Sequence, residues 1–255
     1  VSGSGTGIVT PYNTHRALDF DGAADSYTRG ADLIGNAVSQ LLTMSLNFRV
    51  DGGNGAFRVI LDNTTSRFVV LLTNTNKLRI RGQDGGGVSR LDIVTTPAYL
   101  AGSGWHNVMV SCNLATPVSH IYVDGAIPAL DTNTASNLNS IDFTRPAWSY
   151  GDQQATGLRW NGGLSEGYFN FAEYVDLAVQ ANRYLLRHPN GQPPNILADG
   201  SGVTGTQPIM YMVEEGGVLV DRGSGGAFAA VGAPALSADS PKDRWVSSLN
   251  YGTLS

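Results

Sequence analysis

Leu41-Leu42-Thr43-Met44-Ser45-Leu46-Asn47-Phe48-Arg49-Val50 decides the fold class. On an extended chain Leu42, Met44, Leu46, Phe48 and Val50 share one face, and Thr43, Ser45, Asn47 and Arg49 share the other. Alternation over this length is the period of a half-buried strand; a helix would scatter the same side chains around its circumference. Trp105–Leu114 repeats the pattern: Trp105, Asn107, Met109, Ser111 and Asn113 alternate with His106, Val108, Val110 and Cys112. Between the two, Phe57–Asp62, Arg67–Thr73 and Lys77–Arg81 read as an antiparallel meander joined by Asn63-Thr64-Thr65 and Asn74-Thr75-Asn76.

The same signals extend outward. Ala17-Leu18-Asp19-Phe20 reads as a strand turned by Asp21-Gly22, and Ser119–Val123 ends in Asp124-Gly125, a primed hairpin signal. Polar Asp131–Asn139 reads as a loop across one end, and Ile141–Tyr150 as a strand interrupted by Pro146. One helix is expected: Asp176 caps it, Leu177, Ala181, Tyr184, Leu185 and His188 recur at helical spacing, and Pro189-Asn190-Gly191 stops it. Gln192-Pro193-Pro194 is a turn, Pro208–Val213 and Phe228–Val231 are strands, and Trp245–Leu249 is a last strand or a tail contact. The segments 158–170 and 207–231 return to close the sheets opened early in the chain, as a jelly roll demands. The expected fold is an all-β jelly-roll sandwich of two antiparallel sheets with one short helix at the edge. It occupies 17–236, between an N-terminal arm (1–16), flexible or ordered by a partner, and a C-terminal tail (237–255) packed on the domain or a neighbour.

Composition agrees. Among 255 residues there are 32 Gly, many beside Asn, Asp or Ser, and only 15% are charged. The formal net charge is −5 with no Lys/Arg-rich block, which disfavours a phosphate backbone as partner; no nucleic acid is expected. No apolar run approaches 20 residues, so no membrane span is expected. No secretory signal is read at the start, which is Val1 rather than Met. The single Cys112 lies in an apolar run and reads as a buried small hydrophobe.

Several stretches resemble the laminin-G-like, concanavalin-A-like lectin/glucanase superfamily. Ala17-Leu18-Asp19-Phe20-Asp21-Gly22 is similar to its opening strand and turn. Trp105-His106-Asn107-Val108-Met109-Val110 with His120-Ile121-Tyr122-Val123-Asp124-Gly125 resembles its central hairpin, and Phe169–Tyr174 its late strand. Trp160-Asn161-Gly162-Gly163-Leu164-Ser165-Glu166, Ala181-Asn182-Arg183-Tyr184, Leu197-Ala198-Asp199-Gly200, Thr206-Gln207-Pro208-Ile209-Met210-Tyr211 and Arg222-Gly223-Ser224-Gly225-Gly226 resemble the phage-associated branch. The resemblance implies a sandwich whose members bind, cleave or merely build.

Candidate sites follow from chemistry. Glucan-cleaving members present paired acids as Glu-x-Asp-x-x-Glu, and no such motif occurs; Glu173 and Asp176 fall on opposite strand faces, and Glu214-Glu215 diverge. A lyase would need a Tyr or His base with Arg, Gln or Asn, for which His106, His120, Tyr122, Arg79, Arg81 and Gln83 supply the types. His106 and His120 could face each other across the hairpin. Lys77, Arg79 and Arg81 project to one strand face as a basic stripe. Trp148, Tyr150 and Trp160 are the ring candidates for stacking on a sugar, with Arg79 and Arg81 as further ligand-binding candidates, whereas Trp105 is assigned to the core. Ca²⁺ is the one cofactor with candidate ligands, Asp21, Asp25, Asp124 and Asp131, because the hard ion takes oxygens from loop carboxylates. No catalytic residue is assigned. The first expectation is a non-enzymatic structural or adhesive component of a phage-like virion (capsid decoration, head fibre or tail), multi-copy or homo-oligomeric and contacting other virion proteins. Alternatives are a carbohydrate-binding adhesin for host-surface glycans, on a virion or at a cell surface, and a polysaccharide lyase or hydrolase.

Overall fold

The computed structural model describes residues 16–153, 156–187 and 196–241. The arm over 1–15, the Pro-rich turn, the expected end of the helix at His188 and the expected last strand Trp245–Leu249 lie outside these. The chain opens with β1 (Leu18–Asp21), β2 (Ser26–Arg29), β3 (Leu41–Arg49), β4 (Arg58–Asn63) and β5 (Phe68–Leu72). β6 (Lys77–Gln83), β7 (Ser89–Ala98), β8 (Trp105–Asn113), β9 (Val118–Val123) and β10 (Leu130–Ala135) follow. β11 (Trp148–Tyr150) and β12 (Asn161–Asn170) precede the short helix α1 (Gln180–Arg183). β13 (Met210–Glu215), β14 (Val218–Asp221), β15 (Ala229–Val231) and β16 (Ala235–Leu236) complete it. Among the described residues no helix is long and apolar enough to cross a membrane.

The strands form two antiparallel sheets, so the jelly-roll sandwich stands. The first has the order β14-β13-β12-β3-β8-β9, with β1 beside β12 and β16 beside β1; the second is β10-β7-β6-β5-β4-β11-β2-β15. Neighbours far apart in sequence, such as β12 beside β3 and β11 beside β4, are the returns expected of 158–170 and of the stretch before it. Leu42, Met44, Leu46 and Phe48 of β3 are wholly buried between the layers, with Val70, Leu72, Leu78 and Ile80 of the other sheet in the same cluster. Full burial of one such side chain contributes about 1.5–3 kcal/mol, so the inward row of β3 is a principal stabiliser of the sandwich.

The outward row of β3 departs from the simple alternation picture. Thr43, Ser45 and Asn47 are also buried, at 0%, 4% and 5% exposure. Chain after β12 lies across this face: Leu177, Leu186, Ile196 and Val203 pack on Met109, Tyr122, Tyr168, Tyr211 and Val213. The polar row of β3 bonds to the backbone of that cover. Thr43 Oγ1 donates to the Glu173 carbonyl and accepts from the Val175 N–H, both at 2.9 Å. Ser45 Oγ donates to the Leu186 carbonyl at 3.4 Å. A buried hydroxyl left unpaired would cost about 1–3 kcal/mol, so these bonds make a polar face compatible with burial.

Four sequence expectations are corrected. The helix is confined to Gln180–Arg183 on the covered face, and Asp176 does not cap it: the N-cap is Val179, and Asp176 Oδ1 instead closes a turn on the Ala178 N–H at 2.9 Å. Asp124-Gly125 does form a turn with positive φ (53° and 82°), but it closes only a bridge between Val123 and Ala126. The chain then crosses to the second sheet, where Leu130–Ala135, within the stretch read as a loop, pairs with β7. Ile141–Tyr150 contributes strand only at Trp148–Tyr150. Cys112 is buried as expected, and burial pushes its thiol up to about 12.

Candidate functional site

Trp148, Tyr150 and Trp160 are 1%, 0% and 0% exposed, which removes them as sugar platforms. Trp148 stacks on Phe171 with centroids 5.6 Å apart, and Trp160 meets Phe48 edge-on at 5.9 Å. Each ring faces the partner sheet because it stands on the inward side of its strand or strand entry. Trp105 is also buried, as expected, with its Nε1 donating to Asp239 at 3.1 Å.

The basic stripe exists on the outer face of the second sheet, but acids partner two of its three residues and a backbone carbonyl the third. Lys77 pairs with Asp131. Arg79 makes a bidentate pair with Asp92 at 2.9 and 2.7 Å. Arg81 donates to the Ser66 carbonyl at 3.3 Å. The lyase residues are likewise dispersed. His106 bonds Asp124 at 2.7 Å and Ser103 at 2.9 Å, and its strand partner is Phe48, while His120 stands opposite Ser111. The two histidines therefore do not face each other. Tyr122 lies under the Arg183 guanidinium, 4.5 Å from its ring.

The four Ca²⁺ candidates do not converge. Asp21 Oδ1 accepts the N–H groups of Ala23, Ala24 and Asp25, while Asp25 accepts those of Asp21 and Ala233. These carboxylates hold a turn together. Asp124 is bound to His106 and to the Asn107 N–H, and Asp131 to Lys77 and Thr96. Calcium asks for six to eight oxygens, and this donor set does not provide them at one place. Among the described residues no group of three or more His, Cys, Asp or Glu side chains is placed to hold a metal ion.

What the structure does bring together lies at the end of the sandwich where β3 starts and β8 and β12 finish. Phe171, stacked on Phe143 at 4.0 Å, anchors the chain as it leaves β12. The next residues run over the rim, and the two Thr43 bonds bracket Tyr174 from either side. Glu173, Tyr174 and Asp176, with Asn113, Asn182 and Thr204, line an open groove of about 550 Å³. Glu173 is held in place: its Oε1 accepts from Thr206 Oγ1 at 2.7 Å and its Oε2 from Asn170 Nδ2 at 3.2 Å. His120 reaches across from β9, with Nε2 3.1 Å from the Tyr174 hydroxyl and 3.3 Å from Asp176 Oδ1. Its ring stacks against that of Tyr174 at a 27° tilt. Burial, reinforced by the Asp176 charge, pushes the Tyr174 phenol up to about 12. The hydroxyl is thus neutral near pH 7 and forms a hydrogen bond with His120. Ala172 also borders a second hollow, about 330 Å³, lined by Asn36, Val38, Phe171 and Gln207 among others.

Glu173 and Asp176 were separated by the strand-face argument because it took the chain as extended through both. The strand ends at Asn170, and the turn that follows sets both beside one ring. Tyr174 carried no signal of its own.

No family model and no curated protein sequence matches the chain. Solved structures match in fold. A Bacteroides ovatus protein described as a candidate carbohydrate binding protein aligns over 88% of this chain at 14% identity, with a TM-score of 0.59. The chain spans 60% of that structure's length. Laminin α1 domains LG4-5 from mouse align over 64% of this chain and 44% of theirs (16% identity, TM-score 0.44). The sialidase CBM40 from Ruminococcus gnavus bound to α2,3-sialyllactose aligns over 65% of this chain and 95% of its own (13% identity, TM-score 0.46). The class defined by the architecture is the jelly-roll β-sandwich.

Proposed function

We propose that this chain is a carbohydrate-binding module whose ligand lies in the rim groove around Tyr174. The observation that carries the reading is the combination of one half-buried aromatic ring, Tyr174, lining the groove with fixed carboxylate and amide groups around an open hollow. A pyranose offers an apolar C–H face and a rim of hydroxyls, and an aromatic ring flanked by planar hydrogen-bonding groups complements both. The fold likeness to the Bacteroides ovatus protein, described in terms of carbohydrate binding, supports the same reading. The sequence resemblance to the phage-associated branch supports a setting for it: a multi-copy adhesive component of a virion, or of a cell surface, that holds host glycans. Dispersal of the candidate lyase residues favours binding over cleavage.

The test is a broad glycan array with the full chain, followed by titration of the best ligand. Tyr174→Ala is expected to weaken that ligand about tenfold or more, while Trp160→Phe leaves it unchanged. An array without signal, or a ligand indifferent to Tyr174→Ala, refutes the assignment.

A further inference from the structure

This inference rests on the groove being the glycan site and concerns which glycans it accepts. Among the described residues, the side chains lining the groove include two carboxylates, Glu173 and Asp176, and no Lys or Arg. The adjoining hollow is lined by uncharged residues throughout. Arg183, next in sequence to the groove residue Asn182, is committed elsewhere. It sits over the Tyr122 ring and donates to the Tyr122 hydroxyl at 3.2 Å and to the carbonyls of Leu177 and Ala178 at 2.6 and 3.0 Å. Among the described residues no Lys or Arg lines the groove to neutralise an incoming anion, and the imidazole at its edge, His120, already faces Asp176.

Both carboxylates are suited to hydroxyl donors. Each oxygen of Glu173 already accepts one hydrogen bond, from Thr206 and from Asn170, and each keeps a further lone pair. Those bonds fix the carboxylate before a ligand arrives, so little side-chain freedom remains to be lost on binding. Asp176 is 46% exposed on its side chain, with Oδ1 held by the Ala178 N–H and facing His120. A sugar stacked on Tyr174 would present adjacent hydroxyls to these groups as paired donors, and charge-assisted bonds of this kind are the stronger class. A sialic or uronic acid would instead bring a third carboxylate beside Glu173, which is held by the neutral Thr206 and Asn170, and beside Asp176, whose Oδ1 is already faced by His120.

We infer that the groove selects uncharged glycans, whose vicinal hydroxyls are read by Glu173 and Asp176, and rejects sialylated and uronic-acid glycans. Like-charge contact at a half-exposed site is expected to weaken the acidic member of a matched pair about tenfold or more at low salt. The experiment measures the full chain against matched neutral and acidic oligosaccharides, lactose with sialyllactose and xylo-oligosaccharides with their glucuronic-substituted forms among them. The pairs are run on an array and in titration, with Glu173→Gln and the Glu173→Gln/Asp176→Asn double variant beside the parent. Circular dichroism and thermal melting establish that the variants are folded; if the double variant is not, the single variant and a salt series carry the comparison. Expected are neutral ligands on the parent, acidic counterparts about tenfold weaker, and a gap that narrows in added salt and in the amide variants. Acidic ligands that bind as well as or better than neutral ones, with or without added Ca²⁺, overturn the selectivity while leaving glycan binding in place. Neutral and acidic sugars both failing to bind overturn the glycan reading itself, and the selectivity with it.

Discussion

Asp62→Asn is expected to stabilise the protein at pH 8 and to change little at pH 4. Asp62 stands on the outer face of β4, opposite Ser149 of β11, and is 4% exposed. Its Oδ1 is buried without a hydrogen-bond partner. Burial raises its carboxyl from 3.8 to about 7, helped by the Asp152 charge and opposed by Ser66 and Arg81. The sign follows from proton binding. Between pH 3.8 and about 7 the folded protein keeps a proton on Asp62 that the unfolded chain has lost, so stability declines as pH rises through that window. At 1.36 kcal/mol per unit, a shift of about three units amounts to about 4 kcal/mol lost by pH 8. An amide has the shape of the protonated acid and no charge to desolvate. The variant should therefore recover about 2–4 kcal/mol at pH 8, equivalent to about 5–10 °C in Tm for a domain of this size. Asp152 is raised, mainly by burial, and Asp221 rises to about 6 for the same reason, so the parent's full slope is a sum. The informative quantity is the difference between parent and variant. Urea unfolding followed by the fluorescence of buried Trp148 and Trp160, from pH 4 to 8, measures it. Parallel pH profiles for the two proteins, or a variant weaker than the parent at pH 8, would refute the reasoning.

Other substitutions test the packing around the site. Trp160→Ala should lose about 3–5 kcal/mol in urea unfolding, because it empties a fully buried ring site beside Phe48. Trp160→Phe should lose about 1.5 kcal/mol or less, since it keeps most of the volume and removes a buried indole N–H that has no partner. Equal losses for the two would contradict the assignment to the core. Gly162→Ala should cost about 3 kcal/mol or more, as φ is +143° and a Cβ would come within 2.0 Å of the Arg49 carbonyl. A melting temperature equal to the parent's would show that the β3–β12 contact yields more readily than this geometry allows.

Most strands were legible before any coordinates because alternation is a local property. β3, β6 and β8 fall within a residue or two of the stretches marked by their apolar rows. β7 gives a weak signal: Leu91 and Ile93 alternate with Arg90, Asp92 and Val94, but the run ends in Thr95-Thr96-Pro97, which resembles a turn. β10 was read as a loop because Asp131, Thr132, Asn133 and Thr134 carry almost no apolar side chain, yet an edge strand needs only backbone bonds to its one neighbour. The helix was drawn too long because Leu177 and Leu186 do face a common surface, reached through successive turns more than through continuous helix.

The sequence by itself determined the two-sheet sandwich, the inward row of β3, the burial of Cys112 and the want of a paired-acid motif on a strand. Each is a matter of residue type and spacing over a few positions. Only tertiary structure decided where a ligand could lie. It turned Trp148, Tyr150 and Trp160 inward, paired Lys77 and Arg79 of the basic stripe with Asp131 and Asp92, and covered the polar face of β3. It also gathered Glu173, Tyr174, Asp176 and His120 at one rim, from strands and turns up to 56 residues apart. The reason is that exposure and partnership belong to the assembled surface: a ring beside a loop ends in the core, and a threonine on a polar row holds the turn that carries the site.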